Sequence, residues 1–445
     1  MSSSLLLSYY GDDLTGSTDV MEALSLGGIA TVLFLDLPSD EQLARFADCQ
    51  AIGLAGTSRS ETPAWMDDHL HHALAWLRSL DAALCHYKVC STFDSAPEVG
   101  NIGRALEIGQ ALFDQACVPL VAGAPQLKRY TVFGQHFAMF DGEVHRLDRH
   151  PVMSRHPVTP MGEADLRRHL AGQTSLSIGL ADVLCLAQQD VDERIDRLSA
   201  SHQVLLYDVL DTEHQAEVGH QLWRTRQPRG GYVVGSSGVE YALLEAWRRQ
   251  QHIPASAPSF PPPGAVEKLA VVSGSCSEVT ARQIRWAEAN GFRAIALDAE
   301  GLVSDERGED IMRSALEAAN GALADGMSVI LHTAMGPETN ASAIAKGGSQ
   351  ARHRIGRSLG QLLRRLVEIH GLRRVAIAGG DTSSHALREL RVHALTIRLP
   401  LPETPGSPLC RAYSDEPAFD GLEVALKGGQ VGSDAYFGNI RDGRA

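Results

Sequence analysis

The sequence predicts an α/β protein of two domains, each a mainly parallel sheet flanked by helices, joined by a Pro-rich linker. Three observations carry this. Short apolar runs alternate with helical segments from the N-terminus onward, the pattern of a parallel sheet with covering helices. The stretch from Pro254 to Gly264 holds Pro254, Pro258, Pro261, Pro262 and Pro263 with almost no helix or strand former, and reads as a semi-rigid spacer. At 445 residues the chain is also too long for one compact core. The expected division is residues 1–253, a linker over 254–265, and residues 266–445.

The first element is the apolar run Leu5 to Tyr10, followed by Gly11-Asp12-Asp13-Leu14-Thr15-Gly16-Ser17-Thr18-Asp19 and a helical segment from Val20 that ends at Gly27-Gly28. Such a turn lies at the carboxyl end of its strand, where open α/β sheets bind ligands. Asp19 or Thr18 can cap the helix and Asp12 can make an Asx turn. Asp13 is left without a local role, so the loop reads either as turn chemistry with one carboxylate too many or as a grip on substrate hydroxyls.

Further strands are expected at Thr31 to Leu35, Ala51 to Gly56, Leu84 to Val89, Val118 to Ala122, Ser177 to Leu180, Gln203 to Asp208 and Gly231 to Gly235. Helices are expected from Pro63 to Ser79, with Pro63 in the first turn, and from Asn101 onward. Between them, Tyr130 to Phe133, Phe137 to Phe140 and Glu143 to Arg146, with Asp141-Gly142 as a tight turn, read as antiparallel strands. Arg59 and Lys88 end predicted strands on the same sheet edge as Asp12 and Asp13, with the polar Ser91 and Thr92 close by. Aspartates for hydroxyls and Arg59 as a bidentate carboxylate clamp suit a small polyhydroxy acid. By itself Arg59 reads as a surface arginine flanking a helix; only the neighbouring loops favour the clamp.

After the linker, strands are expected at Leu269 to Val272, Ala294 to Leu297, Ser328 to His332 and Arg374 to Ala378. A helix from about Ile355 to His370 has Leu359, Leu362, Leu363, Leu366 and Ile369 on its apolar face and arginines on a solvated one. Three glycine-rich turns stand out: Ser273-Gly274-Ser275-Cys276-Ser277, Gly379-Gly380-Asp381-Thr382-Ser383-Ser384, and Lys427-Gly428-Gly429-Gln430-Val431-Gly432. Glycines let backbone approach a phosphate, and free N–H groups at a helix start attract negative charge. None matches G-x-x-x-x-G-K-[S/T] or G-x-G-x-x-G. Three in one domain point to a phosphate cradle, with Lys427 either compensating phosphate charge or standing as a surface lysine. Cys276 has no histidine partner in the sequence and reads as inert. A polyhydroxy-acid domain tied to a nucleotide domain is the layout of a phosphotransferase.

Composition narrows the partners. A formal net charge of −14 argues against nucleic acid or an anionic membrane. Seven scattered cysteines without C-x-x-C and eighteen histidines without H-E-x-x-H argue against structural zinc. No apolar run approaches a membrane span and the N-terminus lacks a secretory pattern, so a cytoplasmic location is expected.

At these motifs the chain resembles the four-carbon acid sugar kinase family over nearly its whole length. Gly11 to Asp19 is similar to the family's A-D-D-[FL]-T-G-[AS]-x-D. Further matches are Asn101-Ile102-Gly103, Asp148 to Pro160 with Asp165-Leu166, Gly274 to Ser277, Gly379 to Ser383, and Ala425 to Gly429. The resemblance implies an N-terminal acid-sugar-binding domain and a C-terminal ATP-binding domain, with ATP contacts at Ser275, Gly379, Gly380, Asp381, Thr382 and Gly429. The family's K-x-D-S-T-L-R-G-N-I-G is altered. Lys88-Val89-Cys90-Ser91-Thr92-Phe93-Asp94-Ser95 puts Cys90 where aspartate is usual, lacks the Arg-Gly pair, and adds residues before Asn101. This loop is closest to the branch acting on the branched-chain relative 3-oxo-isoapionate.

The expectation is therefore an ATP- and Mg²⁺-dependent kinase for a terminal hydroxyl of a small sugar acid. Asp12 and Asp13 would orient hydroxyls, one taking the proton; Arg59 and Lys88, with Ser91 and Thr92 nearby, would hold the acid; Asp381 would face Mg²⁺. A nicotinamide-dependent dehydrogenase and a non-catalytic nucleotide-dependent sensor are the alternatives. The acid, the phosphorylated carbon, the catalytic base and any homo-oligomer stay open.

Overall fold

The computed structural model describes residues 5–444 apart from 157, 255–257, 305, 337–340, 402–403 and 405, and the backbone alone of 341–349 and 381. The chain divides into two compact units between Pro258 and Ser259. Residues 255–257 of the expected linker lie outside the described residues.

The first unit is built on eight parallel strands. In chain order they are β1 (Leu7–Gly11), β2 (Thr31–Phe34), β3 (Ala51–Ala55), β4 (Leu84–Lys88) and β5 (Val118–Val121), then, after an antiparallel insertion, β9 (Ile178–Ala181), β10 (Val204–Tyr207) and β11 (Gly231–Gly235). Their order across the sheet is β2-β3-β1-β4-β11-β5-β10-β9. β1, β2 and β4 are buried at every position, as strands covered on both faces must be. The chain leaves β1 toward β2 on one side and leaves β4 toward β5 on the other. The β1/β4 pair is thus a topological switch point, the place where open α/β sheets take ligands beyond the carboxyl ends of their strands.

The insertion is the sheet β6 (Arg129–Val132), β7 (Gln135–Phe140) and β8 (Glu143–Arg146). Both hairpin turns, Phe133-Gly134 and Asp141-Gly142, have positive φ at both residues, the geometry that matches strand twist.

The second unit has β12 (Ala270–Ser273), β13 (Phe292–Ala296), β14 (Ser328–His332), β15 (Arg374–Ala378), β16 (Val392–Leu399), β17 (Leu409–Ser414) and β18 (Glu423–Lys427). They are ordered β13-β14-β12-β15-β18-β17-β16, with the first five parallel and the last two pairings antiparallel. The chain leaves β12 toward β13 and leaves β15 toward the opposite edge. This makes β12/β15 the switch point of this unit.

Several expectations change. The first helix is Leu14–Leu26, not a segment from Val20, so its N-cap is Asp13 rather than Thr18 or Asp19. Asp13 therefore has the local role denied to it above: its Oδ1 accepts from Gly16 N at 2.5 Å. The poor helix formers Thr15, Gly16, Ser17 and Thr18 hide this start; burial of the turn overrides their propensity. The helix expected from Ile355 is the end of a longer one, Ala341–His370. Leu359, Leu362, Leu363 and Leu366 are buried, but Ile369 is 55% exposed and Val367 takes its place inside. Its arginines are not all solvated: Arg364 donates to Glu389 O and to Glu416. β16, β17 and β18 were not expected: charges at Arg398 and Arg411 break up the first two apolar runs, and Glu423 and Lys427 bound a third of only three residues.

Candidate active site

In the first unit the three strand ends are tied through one residue. Asp12 N donates to Lys88 O at 3.0 Å, and Asp12 O accepts from Arg59 N at 3.1 Å. The loops after β1, β3 and β4 thus meet at the β1/β4 crevice. Arg59 spreads its fork over both aspartates. Nε and Nη2 reach Asp12 Oδ2 and Oδ1 at 3.1 and 2.6 Å, and Nη1 reaches Asp13 Oδ2 at 2.5 Å. It is neither a lone clamp awaiting a substrate carboxylate nor a loose surface arginine.

Asp12 is 4% exposed. Burial pushes its carboxyl up to about 6, against the pull of Arg59. Lys88 is 2% exposed, with Nζ donating to Val89 O at 3.0 Å and lying 3.5 Å from Asp19 Oδ2. Burial works against its charge, but Asp19 and Asp12 more than offset that and raise its pKa. Asp19 also accepts from Ser237 Oγ at 2.6 Å. A Cβ built on Gly16 would fall 2.8 Å from Asp13 Oδ1, 3.3 Å from Lys88 Nζ and 3.5 Å from Arg59 Nη2. The space above Gly16 is therefore where these charges converge, and it stays open only because the residue is glycine.

The loop after β4 turns inward. Thr92 Oγ1 donates to Asp94 Oδ1 at 2.6 Å and lies 3.0 Å from Cys90 Sγ. Asp94 is buried; its pKa is nonetheless lowered, because Arg59 and the Thr92 hydroxyl outweigh the cost of burial. Ser91 is held by its carbonyl, which accepts from His136 Nε2 of β7 at 2.9 Å.

In the second unit a cavity of about 470 Å³ lies beyond β12 and β15, lined by Gly274–Ser277, Gly379, Gly380, Thr382, Gly429 and Gln430, with Thr333, Arg352 and Ile355. Helices Glu278–Glu288 and Gly380–Glu389 both start at it. Gly379 has φ +112°, and a Cβ on Gly274 would come within 2.2 Å of Thr382 Oγ1. Glycine is thus required at 379, and at 274 any side chain would displace the Thr382 hydroxyl. Two helix N-termini and a bare backbone make a ready anion site. All three glycine-rich turns reach this cavity. The side chain of Asp381 lies outside the described residues.

Lys427 ends β18 and is 2% exposed, which removes the surface-lysine reading. Nζ donates to Thr280 Oγ1, Gly428 O and Gly429 O at 3.0, 2.8 and 3.2 Å, and burial lowers its pKa to about 8. Gly429 O also accepts from the hydroxyls of Ser277 and Thr280, so the third turn is fixed to the first. Ser275 Oγ completes the chain at 3.0 Å from Thr280 Oγ1. Burial raises the Cys276 thiol, which stays protonated. An ammonium with neutral hydroxyl and carbonyl partners beside an anion cradle suits a polyphosphate. Mg²⁺ accompanying it would be bound through phosphate oxygens and one or two carboxylates, the place expected for Asp381.

The expected residues thus fall into two groups: Asp12, Asp13, Arg59, Lys88, Ser91 and Thr92 around the β1/β4 crevice, and Ser275, Gly379, Gly380, Thr382 and Gly429 around the β12/β15 cavity. Sequence reasoning missed Arg352, Thr280 and Asp94. Thr280 stands three residues after a Ser cap, and Arg352 lies in the part of a helix that carries no apolar stripe.

Residues 7–243 match the family described as a sugar-binding N-terminal domain, and residues 270–437 the one described as a nucleotide-binding C-terminal domain. The chain is 49% identical over 449 residues to a 3-oxo-isoapionate kinase of Paraburkholderia graminis, covering 99% of this chain and 95% of that relative. It is 30% identical over 447 residues to a 3-oxo-tetronate kinase of Methylobacterium radiotolerans, covering 99% of both. A crystal structure described as a putative tRNA synthase from Salmonella typhimurium LT2 superposes with a TM-score of 0.79 at 24% identity, over 97% of this chain and 98% of that one. That likeness shows the fold alone. Matched domain by domain and along its full length, the chain belongs to the four-carbon acid sugar kinase family.

Proposed function

We propose that this chain transfers the γ-phosphoryl group of ATP to a terminal hydroxyl of a small 3-oxo sugar acid, with the branched acid 3-oxo-isoapionate as its preferred substrate. The phosphotransfer reading is carried by the β12/β15 cavity, where two helix N-termini and a glycine backbone, with the ammonium of buried Lys427 bonded behind Gly429, suit a nucleotide polyphosphate. The branched acid is suggested by the relative at 49% identity, against 30% for the tetronate kinase, and by the altered Cys90 loop. A dehydrogenase reading lacks the dinucleotide fingerprint, and the relatives named above are kinases.

Phosphoryl transfer asks for positioning and charge neutralisation more than for covalent chemistry. In this reading the substrate hydroxyl sits over Gly16. Its oxygen forms the new bond to the γ-phosphorus while the bond to ADP breaks, and its proton passes to Asp13. Asp13 is favoured over Asp12 because its side chain is 31% exposed, whereas Asp12 is buried with both oxygens on Arg59. Asp12 then positions Arg59. Lys427 and the backbone of Gly274, Gly380 and Gly429 hold the phosphates. Mg²⁺, when bound, would supply charge neutralisation on the phosphate oxygens, and Asp381 is the residue expected from the sequence to hold it.

A coupled ADP-release screen over tetronates, 3-oxo-tetronates and branched apionate-type acids tests this. The expected result is ADP release with a kcat/KM for 3-oxo-isoapionate at least about tenfold above that for 3-oxo-tetronate, the scale of a lost polar contact. Comparable values overturn the branched preference. No ADP release with any acid overturns the kinase and leaves the sensor.

A further inference from the structure

An acid substrate needs a cation that the β1/β4 crevice does not spare. Asp12, Asp13, Asp19 and Asp94 set four carboxylates against Arg59 and Lys88. Arg59 spends three of its N–H donors on Asp12 and Asp13, and Lys88 is turned to Val89 O and Asp19. A carboxylate brought into this cluster alone would meet net repulsion.

We propose that Arg129, on the first strand of the antiparallel insertion, binds the carboxylate of the acid substrate; this rests on the kinase reading above. The strand register puts it there. Side chains two apart share a face, so Arg129 and Thr131 of β6 lie on one face, opposite Ala138 and His136 of β7. That face covers the loop after β4, because His136 Nε2 meets Ser91 O at 2.9 Å. A carbonyl can only accept, so Nε2 carries the proton, and the neutral ring takes Thr131 Oγ1 at Nδ1, 3.2 Å away. Arg129 is the next position along the same face. Ser91 directly follows Cys90, so the His136 bond holds this face of the insertion against the altered loop.

Arg129 is also uncommitted. Among the described residues it has no carboxylate partner. Its Nη1 donates to Leu127 O and Lys128 O at 3.0 and 3.2 Å, with Met139 O at 3.5 Å, and its Nε is buried without a partner. A half-buried guanidinium with a buried, unpartnered Nε and no counter-ion is costly. An incoming carboxylate can take the remaining donors and relieve that cost. The assignment divides the labour: Arg59 orders the reacting aspartates, and Arg129 reads the acid end of the substrate from the wall of the insertion.

The test compares wild type with Arg129→Gln and Arg129→Lys. KM for the acid should rise about 10- to 100-fold in Arg129→Gln, the scale of a charge-assisted pair, and partly recover in Arg129→Lys. KM for ATP, kcat and the melting temperature should stay near wild type, which a merely structural arginine would not allow. An unchanged KM for the acid overturns the assignment. Loss of the kinase reading would show differently, as no ADP release by wild type with any sugar acid. Calorimetric titration with D-erythronate without nucleotide then reads Arg129 apart from turnover. Binding by wild type that Arg129→Gln loses supports it; equal binding, or binding by neither, overturns it.

Discussion

The carboxylate of Asp13 does two things at once. One oxygen caps helix Leu14–Leu26 and the other takes Arg59. Replacing it by Asn keeps a good cap but removes the charge and the proton acceptor. Asp13→Asn should therefore lower kcat by about 100-fold or more, the usual worth of a general base, while the nucleotide dissociation constant stays within about twofold. Wild-type turnover in this variant would remove Asp13 from the chemistry.

Asp12 makes a pH-dependent claim, since burial raises its carboxyl to about 6. Ionised, it holds the Arg59 fork; protonated, it releases one arm. The kcat/KM for the acid should fall as pH drops through about 6, and Asp12→Asn should be weakly active with that limb gone. Stability runs the other way. The native state binds this proton more tightly than the unfolded chain, so Asp12 contributes most below its ordinary value near 3.8, and that contribution is lost as pH rises through about 6. Melting temperatures of wild type and Asp12→Asn, followed from pH 4 to 7, should show the variant gaining relative to wild type.

At the scale of elements, strand ends and glycine turns were legible because each is local. An apolar run, a glycine pair and a helical period all lie within about 20 residues. Pairings across the sheet were not. Arg59 and Asp12 are separated by 47 residues, and nothing in either segment announces the other. Alternation along β6 puts Arg129 and Thr131 on one face, but only the His136–Ser91 bond says which loop that face covers. The two readings of Lys427 were separable only by burial. If Lys427 serves the phosphates as proposed, that burial, which lowers its pKa to about 8, should make nucleotide binding alkaline-sensitive. KM for ATP should rise as pH passes about 8. Lys427→Met should raise KM for ATP about tenfold at pH 7, on the order of 1.4 kcal/mol, and lose the alkaline limb. The sign for stability is opposite: the native state holds fewer protons than the unfolded chain between about 8 and 10.5, so stability associated with this lysine rises with pH across that window. A KM for ATP that ignores both pH and the substitution would leave Lys427 a packing residue.

At the scale of the molecule, the two-domain α/β plan followed from length, alternation and the prolines around Pro258, because these features survive ignorance of every long-range contact. Which ligand each unit takes depends on chemistry at the two switch points, and there the units differ. The crevice at β1/β4 gathers charged side chains; the cavity at β12/β15 offers backbone and hydroxyls. Ligand binding should then stabilise the units unequally. A ligand at about 100 times its dissociation constant adds about 2.7 kcal/mol to the state that binds it. The slowing of amide exchange should be local. A non-hydrolysable ATP analogue should protect the amides of Ser275 to Ser277 and of Thr382 and Ser383. The sugar acid alone should protect those of Gly11 to Ser17 and Cys90 to Thr92. Hydrogen exchange read by mass spectrometry resolves these segments. Protection by the acid confined to residues 259–445 would reverse the assignment of the two units, whatever the kinetics of the single-site variants.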